Sequence, residues 1–255
     1  MENQRSTIEF LRNFQEFAWN ARYIVAKNLF LGLKSSHDEK EKKILSVEIL
    51  SNMIAATEDL EAWYSFLRDR KSKDYDIWPY LMSYESTPKT QVIFFNEIEK
   101  LKNFDDFVRR FGLNREMILS STSIKPKEVR TIIENNILRS FELAAKNRSN
   151  RLLIRFHNKV KHHFLVLNST KNDGVIIRNQ DDILAVPFDK KEILRAVATT
   201  QLFCHGIQGI ISILMLEVSS LLEENPLSNE DKKYFIEKKQ SGEDDPVKYL
   251  KRLKP

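Results

Sequence analysis

Residues 151–163 read "RLLIRFHNKVKHH" and hold three of the chain's five histidines beside two arginines and two lysines. Histidine is the side chain whose ordinary pKa lies near neutrality, so it can take up and release a proton during a reaction. Arginine offers a planar fork of donors that matches a phosphate. On a helix, at about 100° per residue, Arg151, Arg155, Asn158, Lys159 and His162 fall on one side, and Leu153, Phe156, Val160 and Phe164 on another. His157 and His163 lie off the center of the polar side. Arg155 and His162 point together, whereas Arg151 and His157, six residues apart, are turned by about 600° and diverge. This grouping suits phosphodiester chemistry. The 2′-hydroxyl of RNA can attack the adjacent phosphate if a base takes its proton and a cation offsets the charge of the phosphorane. In that scheme Arg155 and His162 are the catalytic pair and Asn158 orients the phosphate or the imidazole. Arg151, Lys159, Lys161 and His157 hold the backbone. A basic helix face is also commonly just solvated, and it can bind a partner without chemistry, so three readings stand together.

Arg155, six residues and then His162 resembles the R-x(4–6)-H motif of the HEPN superfamily. The wider "FHNKVKHH", with β-like pieces and a long helix after it, is similar to the helix–hairpin segment of some bacterial HEPN-like proteins; the likeness covers about residues 126–222. The resemblance implies an all-α helical bundle that forms a homodimer, with the motif in a cleft at the dimer interface. In active members it implies RNA cleavage without a metal, of the toxin or phage-defense kind, with a neutralizing or regulatory partner protein. Other members only bind or scaffold. The position after the arginine is usually polar in active members and is Phe156 here, which keeps the non-catalytic reading open.

The elements that must position the stripe are mostly helical. Ile8, Leu11, Phe14, Ala18, Ala21, Val25 and Leu29 predict one helix over 7–33, and Ile44, Val47, Leu50, Ile54, Leu60, Trp63 and Leu67 a second over 38–70. Asp38 with Glu41 has capping-box spacing, and the two helices are expected to pair as a hairpin over 7–70. Residues 71–86 read as an ordered aromatic loop with a short helix. Thr87-Pro88 opens a helix to about Lys102, and "FDDFVRRFG" a short one ending at Gly112. A helix from Pro126 leads past a kink at Ser149-Asn150 to about His163. "FLVLN", "GVIIRN" and "ILAVPF" predict a small β-hairpin or three-stranded insertion at about 164–188, with Asn172-Asp173-Gly174 as its turn. Asp189 caps a helix through Leu222. The fold expected is a single domain over 1–224, with the motif-bearing part over 126–222, followed by a charged, mobile tail over 225–255.

Composition narrows the function classes. With 6 glycines there is no GxGxxG or P-loop. Cys204 is the one cysteine, which excludes disulfides within the chain and fits the cytoplasm. No HxxE or ExxH pair falls on a helix, so neither metal nor other cofactor is expected. A net charge of +5 at a pI of about 9.1 suits a polyanion such as RNA without demanding one. "GIQGIISILMLEV" is too short to span a bilayer and reads as a core helix, so no membrane partner is expected. The apolar length of 189–222 is an added argument for the dimer. Glu58, Asp59 and Glu61 read as a solvated acidic face, the Arg109–Arg110 pair as a solvated helix end, and Cys204-His205 as a buried thiol beside a histidine. Trp63, Tyr64, Tyr75, Trp78, Tyr80 and Tyr84 could stack bases but more often fasten a loop.

Overall fold

A computed structural model describes residues 2–70, 77–113, 130–131, 133–148, 166–168, 174–179, 182–187 and 190–224. The chain opens with α1 (Glu2–Phe17), α2 (Ala21–Ser35) and α3 (Glu39–Asp69). Where the apolar period predicts one helix over 7–33, there are two. At Ala18 and Trp19 both backbone amides donate to the Phe14 carbonyl, at 2.9 and 3.0 Å, and Ala21 reaches back only to Ala18. This local break shifts the face that follows: Ala26 and Phe30 are buried and Val25 is exposed, whereas an unbroken helix would bury Ala21, Val25 and Leu29. α2 and α3 lie antiparallel, tied at one end by Asn52 donating to the Arg22 carbonyl and at the other by Leu45 against Gly32. Asp38 caps α3, accepting from the Lys40 amide at 2.8 Å. Glu41 does not close the capping box. Its carboxylate accepts from Ser36 Oγ at 2.6 Å, and it is Ser36 Oγ that accepts the Asp38 amide.

Three short helices follow: α4 (Ile77–Met82), α5 (Pro88–Ile98) and α6 (Phe104–Phe111). Thr87 and Thr90 form a reciprocal capping box around Pro88. α5 ends before the expected Lys102 because Lys100 and Leu101 donate to carbonyls three residues back and tighten the last turn. Gly112, with φ 55°, closes α6 in the left-handed region, which glycine adopts without steric cost. A π-helical segment, Ile133–Leu138, runs into α7 (Arg139–Arg148). Three strands, β1 (Val166–Asn168), β2 (Gly174–Asn179) and β3 (Asp182–Pro187), pair antiparallel in the order β1-β2-β3, with Leu167 opposite Ile176 and Ile176 opposite Ala185. α8 (Lys190–Glu224) is the longest helix described. The expected helix start at Pro126, the Ser149-Asn150 kink, the Asn172-Asp173 turn, the Asp189 cap and the 225–255 tail lie outside the described residues.

The protein is all-α in class, and its core gathers on α3 and α8. Tyr64 of α3 meets Phe94, Phe111 and Phe141 edge-on, with ring centroids 5.2, 5.5 and 5.4 Å away, a geometry that adds to the area each ring buries. α8 is the one described helix long and apolar enough to cross a membrane, and 72% of its apolar window is buried inside the chain. The apolar length taken from the sequence as grounds for a dimer is therefore largely covered by the chain itself. Of its large apolar side chains, Leu194 stands exposed.

The α8 glycines explain how close the helices come. A Cβ on Gly206 would lie 2.1 Å from Ser140 Oγ and 2.8 Å from Ser140 Cβ, and one on Gly209 would lie 2.6 Å from Ile137 Cγ1. Gly206→Ala is therefore expected to destabilise the fold by about 1–3 kcal/mol through overpacking. Alanine's advantage over glycine inside a helix, roughly 1 kcal/mol, opposes this and leaves a net loss of up to about 2 kcal/mol. Urea unfolding checks it; a variant as stable as the parent would mean the helices part without loss.

Candidate functional site

The whole stripe singled out by the sequence, Arg151, Arg155, His157, Asn158, Lys159, Lys161 and His162, lies outside the described residues, as does its neighbor His163. What the described residues offer is the frame upstream, α7, and three polar constellations in the helical core.

The first is a buried ion pair. Arg70 at the end of α3 is 1% exposed. Its Nε donates to Glu217 Oε2 at 2.5 Å and its Nη2 to Glu217 Oε1 at 2.9 Å. Nη2 also donates to the Phe111 carbonyl at 2.9 Å, and Nη1 donates to the Leu67 carbonyl. One side chain thus ties the ends of α3, α6 and α8. The sequence carried one signal for it: Glu217 interrupts an otherwise apolar run, and a carboxylate on a buried face needs a cation.

The second centers on Glu97. Its carboxylate accepts from Tyr64 Oη at 2.8 Å and also bonds Arg110, with Arg68 at 3.5 Å. Arg68 pairs with Asp69 at 2.7 Å, and Asp69 accepts from Tyr80 Oη at 3.1 Å. Burial, with the neighboring carboxylates, pushes the Tyr64 and Tyr80 phenols well above their ordinary value, so both stay neutral donors. The Arg109–Arg110 pair, expected to be a solvated end, is exposed at both positions; Arg109 pairs with Asp106, and Arg110 reaches Glu97 from the surface.

The third corrects the reading of the acidic face on α3. Glu58 and Asp59 border solvent, and Asp59 accepts from Arg22 Nε at 2.8 Å. Glu61 does not: it is 2% exposed and accepts from Tyr84 Oη and Ser86 Oγ, both at 2.7 Å. Tyr84 is pushed up to about 12, burial being the largest cause. Beside this network opens a cleft of about 460 Å³ whose lining includes Glu58, Asp59, Leu81, Tyr84, Glu85 and Ser86. Its rim carries negative charge, so it repels a phosphate backbone. A polyanion is better served elsewhere on the chain. Glu61 was missed because its partners are hydroxyls more than twenty residues away, which leave no local spacing to read.

The aromatic residues act as fasteners. Trp63 and Tyr64 are buried, Tyr80 packs on Phe66 at 5.4 Å, and Trp78, though half exposed, meets Phe10 at 5.1 Å. Tyr75 lies outside the described residues. Cys204 is buried and its thiol is pushed up to about 11 by that burial, so it is a poor nucleophile. His205, next to it, meets the Trp19 ring at a tilt of 53°, with ring centroids 5.7 Å apart. Burial holds its pKa below the ordinary 6.5. In the unfolded chain the imidazole takes a proton near 6.5, while in the fold it is still neutral, so stability is lost as pH falls through that range. Melting curves between pH 7.5 and 5.5 should fall more steeply for the parent than for His205→Gln. Equal slopes would remove His205 from the acid sensitivity.

Comparison of the chain with protein-family models, with curated proteins and with solved structures finds no match.

Proposed function

We propose that this chain is a HEPN-like helical protein, its bundle interrupted by a small β insertion at about 164–188, that engages RNA with residues 151–163. In this reading it is a metal-independent endoribonuclease of toxin or phage-defense type, working in the cytoplasm as a homodimer and held in check by a partner protein. The observation that carries it is the spacing of Arg155 and His162 in the sequence. Seven residues are close to two helical turns, so the two side chains share a side of a helix that includes both. His162 takes the 2′-hydroxyl proton, the freed oxygen bonds the phosphorus to give a cyclic phosphate, and the 5′-oxygen leaves with a proton returned to it. Arg155 offsets the charge of the phosphorane, Asn158 orients it, and Arg151, Lys159, Lys161 and His157 grip the backbone. The all-α class supports the reading, and so does the acidic cleft, which leaves the basic stripe as the better surface for a polyanion. Phe156, apolar where active members are usually polar, favors the second reading: a non-catalytic helical protein that docks a partner or nucleic acid on the same face. Expression in a bacterial host tests the choice. Growth arrest by the parent chain, relieved by His162→Ala at equal soluble yield, supports the nuclease. Equal growth with both favors the docking protein.

A further inference from the structure

We infer that the outer face of α2 is a docking strip for an acidic amphipathic helix of a partner protein. The inner face of α2 is fixed by the core: Ala26 and Phe30 are buried, and Asn52 of α3 donates to the Arg22 carbonyl. At about 100° per residue, the opposite side carries Ile24, Asn28 and Leu31 in one line, and all three are exposed. Lys27 and Lys34 run along one flank of that line and Val25 stands on the other. Ile24 is 46% exposed, Val25 48% and Leu31 52%. Ile24 and Leu31 stand two turns apart, about 10 Å along the axis. A single exposed apolar residue is ordinary. Apolar residues aligned at heptad spacing form the seam by which one helix receives another.

The charges beside the seam select its occupant. α2 has no Asp or Glu in its 15 residues. Arg22 is already paired with Asp59, whereas Lys27 and Lys34 are exposed. Lys34 Nζ lies over the Phe30 ring, 4.8 Å from its centroid, which holds the ammonium close to the helix. In heptad terms Ile24 and Leu31 take position d, Asn28 takes a, and both lysines take g. Charges at e and g set partner choice and orientation. A second copy of the chain fits poorly. An antiparallel self-pair sets g against g, lysine against lysine. A parallel one sets the lysines against the e positions, Val25 and Gly32, which offer no charge. RNA would meet the lysines and gain nothing from Ile24 and Leu31. A helix with apolar seam residues and Glu or Asp on its flank covers the one and pairs the other. One helix face is a small interface, so its affinity belongs to the weak, roughly micromolar class.

Fluorescence anisotropy on the full chain tests this with two labeled three-heptad peptides. Both carry Leu at the seam positions; one carries Glu on its flanks and the other Lys. The Glu peptide should bind roughly tenfold more tightly than the Lys peptide, attraction at both lysines being replaced by repulsion. Leu31→Glu should weaken the Glu peptide by roughly tenfold, since one seam contact is lost. The double reversal Lys27→Glu/Lys34→Glu should invert the preference between the peptides. All three positions are on the surface, and circular dichroism checks that the variants keep their helix. The inference fails if neither peptide binds, or if the double reversal still prefers the Glu peptide. It fails too if Leu31→Glu converts a dimer of the parent chain to a monomer in light scattering, which would make the strip a self-interface. Uptake of the parent chain by phosphatidylglycerol vesicles, lost with Leu31→Glu, would make it a membrane face and overturn the inference as well.

Discussion

Replacing Glu217 by alanine should cost about 3–5 kcal/mol, because it strands the buried guanidinium of Arg70 without its counter-charge. Both carboxylate oxygens of Glu217 accept from Arg70, at 2.5 and 2.9 Å. The remaining acceptors, the Leu67 and Phe111 carbonyls, are neutral and leave the charge itself unmatched. For a chain of this size each kcal/mol moves the melting temperature by roughly 2–4 °C, so a fall of roughly 6–20 °C is expected. The double variant Arg70→Met/Glu217→Leu should recover most of the loss, since it removes both charges and fills the same space. Thermal unfolding followed by circular dichroism checks both. A Glu217→Ala protein within about 1 kcal/mol of the parent would mean that water reaches Arg70. A double variant as unstable as the single one would mean that the cost was lost packing, not stranded charge.

Much of the frame was legible because it is written locally. Asp38, Thr87 with Pro88, and Gly112 each mark a helix end by their own chemistry, and each falls at one. The apolar run from Gly206 reads as core, and its described residues are largely buried. The break at Ala18–Asn20 was invisible because the apolar period runs on through it, while the backbone there slips to a wider turn. The Glu41 capping bond failed for a similar reason: Ser36, two residues before the cap, competes for the carboxylate. Glu61, Glu97 and Arg70 look like ordinary surface charges in a chain that is 30% charged, and Glu217 differs from them only in interrupting an apolar run. Their placement depends on partners up to 147 residues away, which no spacing rule can see. The candidate site is a different case. Its geometry was inferred from helical spacing alone, and the described residues add only an acidic cleft, a poor seat for the RNA of the proposed reading.

The largest effect on function should come from His162. In the proposed mechanism it takes a proton from the 2′-hydroxyl. General acid–base catalysis contributes on the order of 10²–10⁴-fold, so His162→Ala should reduce cleavage by that order. Arg155→Lys should also fail, because a point charge does not reproduce the planar fork that meets two phosphate oxygens. Purified parent chain and His162→Ala, each incubated in EDTA with a labeled single-stranded RNA, give the most direct measurement. The account predicts that the parent cuts the RNA despite the chelator and that His162→Ala, folded by circular dichroism, does not. Equal cutting by both would contradict it, and so would binding by both, steeply salt-dependent, with no cutting by either.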